Sequence, residues 1–85
     1  MSNLIRLQMD LPEKRVQELE NLMAECGIAT KKDLFNTALT LFEWAVSERR
    51  RGPIIASVDE KNSKYKELQM PAFAALDRRT VSAFG

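Results

Sequence analysis

Apolar and polar residues alternate strictly from Ile5 to Leu11: Ile5, Leu7, Met9 and Leu11 fall on one side, Arg6, Gln8 and Asp10 on the other. A period of two predicts a half-buried strand. Pro12 ends the alternation and suits the first turn of a helix. From Glu13 to Cys26 the period changes. Val16, Leu19, Leu22, Met23 and Cys26 recur at spacings of three and four, which predicts an amphipathic helix. Gly27 stands where a left-handed helix stop is needed. Thr30 and Asp33 form a capping pattern for a second helix that runs to about Arg50. Its apolar members, Leu34, Phe35, Ala38, Leu39, Leu41, Phe42, Ala45 and Val46, form a stripe wider than one neighbouring helix requires. Gly52-Pro53 breaks the chain. Residues 54–58 read as a strand, 59–62 as a turn and 63–68 as a return strand. Residues 71–85 show only isolated apolar points, at Pro71, Phe73, Leu76 and Phe84.

The first strand raises a question of hydrogen bonding. Its backbone groups need partners if one face is buried, and two helices follow it, not a second strand. It either pairs with its counterpart in a second chain or joins the later hairpin. The wide stripe on the second helix favours a second chain, because a small domain gains most by sharing a core.

Strand, helix, tight glycine turn and helix, in that order, resemble the ribbon-helix-helix family of DNA-binding proteins. The resemblance rests on residues 5–13 (IRLQMDLPE), 26–34 (CGIATKKDL) and Ala38-Leu39, and spans about residues 3–48. It implies a mainly α fold with a short N-terminal strand. That strand would form an intermolecular two-stranded antiparallel ribbon in a homodimer, with two helices per chain, and a C-terminal β-hairpin would follow. With the pattern read above, residues 1–51 would be the dimerisation and DNA-binding core, 52–70 the hairpin extension, and 71–85 a tail whose pattern leaves order and disorder open. The resemblance also implies that the ribbon enters the major groove, with Arg6, Gln8 and Asp10 toward base edges and Thr30, Lys31 and Lys32 at phosphates.

Side-chain chemistry fits several of these roles. Arginine reads guanine O6 and N7, and glutamine reads adenine N6 and N7. A helix N-terminus with free amides suits a phosphate. Lysine there opposes the helix dipole, which a bound anion would relieve. Asp10 fits less well: it accepts from cytosine N4 or turns aside to cap the first helix, and capping is preferred. Arg49-Arg50-Arg51 reads as cations favoured by a helix C-terminus. Cys26 reads as a buried structural residue and Trp44 as a satellite core contact.

Composition narrows the alternatives. The chain has 85 residues, 45% of them apolar and 29% charged, which is a globular balance. It contains no histidine and one cysteine, which excludes histidine-based triads, His-ligated zinc and an internal disulfide. No nucleophile–base pair or glycine-rich phosphate loop is present, so the expectation is not an enzyme, with no cofactor and no metal. No segment has the length of a membrane span or the pattern of a signal peptide, and a single cysteine fits a cytoplasmic setting. The net charge of +1 does not by itself announce a nucleic-acid binder. The function that the resemblance implies is a dimeric transcriptional regulator, with DNA and a second copy as partners. The alternative is an interaction module, antitoxin-like in combining both roles, whose residues 52–85 bind a protein.

Overall fold

The structure is a computed structural model and describes residues 3–84. Its elements are α1 (Glu13–Cys26), α2 (Lys31–Arg50), β1 (Ala56–Asp59), β2 (Lys64–Glu67) and α3 (Pro71–Phe84). They fall into two compact units, residues 1–35 and 36–85, and the division lies within α2.

In the first unit, α1 starts where Pro12 places its carbonyl to accept from the Arg15 and Val16 amides, at 2.9 and 3.1 Å. It ends in a Schellman arrangement. Gly27 has φ +67°, Ile28 N–H donates to the Met23 carbonyl at 2.9 Å, and Gly27 N–H donates to that of Ala24 at 3.4 Å. Glycine holds this conformation without the Cβ penalty that other residues meet there. α2 then opens on Thr30, whose Oγ1 accepts from the Asp33 amide at 3.1 Å. This cap and turn stand where the sequence pattern put them.

The N-terminal strand does not form, which corrects the fold expected above. Residues 3–12 adopt neither strand nor helix, and β1 and β2 pair only with each other. The arrangement of an N-terminal strand followed by two helices is therefore not the fold of this chain. The physical reason is that a strand is defined by its ladder. Alternation sorts side chains to two sides but supplies no backbone partner, and none of the described strands pairs with this segment. Its apolar side is left bare, with Ile5 81% exposed.

In the second unit, β1 and β2 form an antiparallel hairpin with Ala56 opposite Glu67 and Asp59 opposite Lys64. The Asp59 carboxylate closes the turn, accepting from Asn62 Nδ2 at 2.9 Å and from the Asn62 amide at 3.2 Å. Ser63 completes the reversal at φ 52°. The bond from the Asn62 side chain, then that from its amide, holds the Asp59 carboxyl below its ordinary value. A lowered folded-state value stabilises the turn above the unfolded carboxylate's pKa, and the benefit disappears as pH falls through the folded one. Titration of the Asp59 carboxyl by NMR is expected to show the lowered midpoint, and Asn62→Ala to bring it back toward that of an ordinary aspartate.

Residues 71–84 form α3. Pro71 occupies its first position, where a missing N–H costs nothing. Phe73 is 4% exposed and Ala45 5%, and these are the only buried apolar residues among those described. With so few, Phe73 carries a large share of the second unit's packing. Phe73→Ala is expected to cost about 3–5 kcal/mol, read as a lower denaturant midpoint with an unchanged slope.

Candidate nucleic-acid interface

Arg6, Gln8 and Asp10 lie in the segment before α1, all exposed. Pro12, at the start of α1, offers no side-chain cap, and Asp10 makes no hydrogen bond. The capping role preferred for Asp10 is thus absent, because the helix begins three residues later and its Arg15 and Val16 amides turn to the Pro12 carbonyl. All three polar side chains of the segment are free to meet a ligand.

Thr30, Lys31 and Lys32 sit together at the start of α2, also exposed. Thr30 satisfies the Asp33 amide, and its carbonyl accepts from Leu34 N–H at 3.1 Å. The amides of Lys31 and Lys32 lie in the first turn, where a helix has no acceptors of its own. Lys31 Nζ lies 4.0 Å from a Glu20 carboxylate oxygen, with both side chains more than half exposed. Such a pair contributes about 0–1 kcal/mol, so it holds Lys31 only loosely. Lys32 has no ion-pair partner among the described residues. No hydrogen bond or ion pair joins this group to Arg6, Gln8 or Asp10, so the two sets are separate features of the chain.

The arginine run closes α2, with Arg49 and Arg50 in its last turn as the sequence reading has them. Arg51 pairs with Glu48 one turn earlier. Arg49 instead reaches α3: its Nη2 lies 2.6 Å from Asp77 Oδ2, and its guanidinium stands 5.7 Å from the Phe73 ring centre. Its side chain is largely covered, and Nε is buried without an acceptor. Arg49 is therefore a packing residue that ties the end of α2 to α3. The Asp77 partner, 28 positions along the chain, leaves no local signal in the sequence. Beside this clasp lies an open cleft of about 470 Å³, lined by Arg49, Met70, Phe73 and Asp77 among others.

Two other expectations fail. Cys26 is exposed, and so is Trp44. Both lie on helices whose apolar residues remain largely uncovered: Leu22 on α1, and Phe35, Leu39, Leu41 and Phe42 on α2. Among the described residues, no group of three acidic or thiol side chains is placed to hold a metal ion, and no helix is long and apolar enough to cross a membrane. No protein family, curated protein or solved structure matches this chain.

Proposed function

We propose that the protein is a homodimeric DNA-binding regulator that reads bases with Arg6 and Gln8 and holds phosphates at the start of α2. The observation that carries this reading is the N-terminal segment. It presents an arginine and a glutamine, both unpartnered and exposed, within a run whose intervening apolar residues are also uncovered. Arginine and glutamine are the side chains suited to guanine and adenine edges. Lys31 and Lys32, with the free first-turn amides of α2, add the positive charge and donors that position a protein on the backbone.

An apolar face left uncovered on α2 supports an interface with a second copy. Phe35, Leu39 and Phe42 recur at helical spacing along α2 and supply an apolar face for such an interface.

Selection of bound fragments from sheared genomic DNA, at low and at moderate salt, tests the reading. Charge attraction alone fades steeply with salt. Enrichment of a short inverted-repeat sequence at moderate salt is the expected result. A folded dimer that enriches nothing there would redirect attention to residues 52–85 as a protein-binding surface.

A further inference from the structure

The β1–β2 hairpin has two free edges, and they are not equivalent. The Leu68 amide donates to the Ile55 carbonyl at 2.7 Å, which fixes the alternation of the ladder. With the observed register, Ser57 and Lys66 exchange bonds, as do Asp59 and Lys64. The backbone groups of Ala56 and Val58 therefore point out from β1, and those of Tyr65 and Glu67 point out from β2. Neither edge is covered by another described strand. The cross-strand neighbours Val58 and Tyr65 are 65% and 59% exposed.

Charge decides which edge is open to a second copy. An antiparallel two-fold pairing of β2 with itself places Lys64 opposite Lys66 when centred on Tyr65. Centred on Lys66 or Glu67, it places each of those residues opposite its own copy. Like charges directly opposite are destabilising, and edge lysines are a common guard against strand addition. The same operation on β1 meets that conflict only when centred on Asp59. Centred on Ser57 it sets Ala56 opposite Val58, and centred on Ala56 or Val58 it again opposes no like charges. We infer that β1 is a self-association edge, and that two copies of the chain join through it to make a four-stranded antiparallel sheet in the order β2-β1-β1-β2.

A further observation favours a second copy as the occupant. A lone two-stranded hairpin is marginal in water, and additional strands are what stabilise it. A two-fold contact closes on itself, whereas pairing β1 of one copy with β2 of the next leaves an edge open at each step unless the copies close into a ring.

This inference does not depend on DNA binding, and it is read at different atoms. Amide exchange of the full chain followed by NMR is the direct test. The Ala56 and Val58 amides are expected to exchange at least about tenfold more slowly than those of Tyr65 and Glu67, with protection rising with chain concentration. In a mixture of isotope-labelled and unlabelled chains, β1 of one copy should show contacts to β1 of another. Val58→Pro removes an outward N–H and leaves the hairpin's own ladder complete, so it should abolish protection at Ala56 while Ser57 and Lys66 stay protected. Should proline disturb the hairpin, Val58→Lys gives the same expectation by charge repulsion across the two-fold. Fast exchange at Ala56 and Val58 in concentrated solution, or contacts from β1 to β2 or to residues 3–11 of the other chain, would overturn it.

Discussion

Replacing Arg6 and Gln8 together by alanine is expected to abolish sequence-specific DNA binding while leaving the helices and the oligomeric state unchanged. Both side chains are exposed and unpartnered, so their loss removes nothing that holds the chain together. Each bidentate base contact contributes roughly 1–3 kcal/mol of discrimination. A dimer presents four such side chains, so the double variant should lose at least about 4 kcal/mol, roughly a thousandfold in affinity for its site. Lys31→Ala with Lys32→Ala should behave differently. Those residues are assigned to phosphates, so binding should weaken about equally on all sequences. The dependence on salt should also become shallower, by about 0.9 for each phosphate contact removed. Titrations of both variants against one site and one scrambled duplex, at several salt concentrations, separate the two roles. A double Arg6, Gln8 variant that still prefers its site over the scrambled duplex would remove the N-terminal segment from the interface.

The second large effect concerns the apolar face of α2. Only Ala45 and Phe73 are buried among the described residues, which is too little to offset the conformational entropy lost by a chain of this length. Folding is therefore expected to be coupled to association, so the melting temperature should rise with chain concentration. Leu39→Ala would remove a side chain that is half open in the single chain but is assigned to the interface between two. It should cost about 2–5 kcal/mol per chain, as burial in a packed core would, against a few tenths for a solvated leucine. Thermal melts of wild type and Leu39→Ala over a hundredfold range of concentration read both effects. A melting temperature independent of concentration, with Leu39→Ala near neutral, would mean that the chain folds alone.

The parts of the fold legible in the sequence were those whose hydrogen bonds are local. Gly27 and Thr30 bracket the turn between α1 and α2 because a left-handed stop and a side-chain cap need only neighbouring atoms. The hairpin likewise follows from two short strands and an Asp59–Asn62 turn that closes on itself. The misreadings lie where partners are distant or outside the chain. Residues 5–11 alternate as a strand does, yet nothing among the described strands completes their ladder. α3 was hidden because Pro71, Phe73 and Leu76 looked isolated. Proline at the first helical position, followed by Ala72, Ala74 and Ala75, is the signal that would have found it. Of the two roles open to Asp10, capping fails because the Pro12 carbonyl serves the start of α1. Arg49 stands in the last turn of α2 as its position in sequence implies, but its partners Phe73 and Asp77 lie on α3, beyond any local signal. For the candidate interface, the sequence supplied residue types, and exposure follows from the structure.

The most direct test of the central claim is the mass of the complex. Sedimentation equilibrium of the chain with a short duplex carrying an enriched inverted repeat, at moderate salt, reads stoichiometry and specificity together. The proposal predicts two chains per duplex, no complex with a scrambled duplex, and no complex with the Arg6→Ala, Gln8→Ala variant. A folded dimer that sediments apart from every duplex at moderate salt would contradict it.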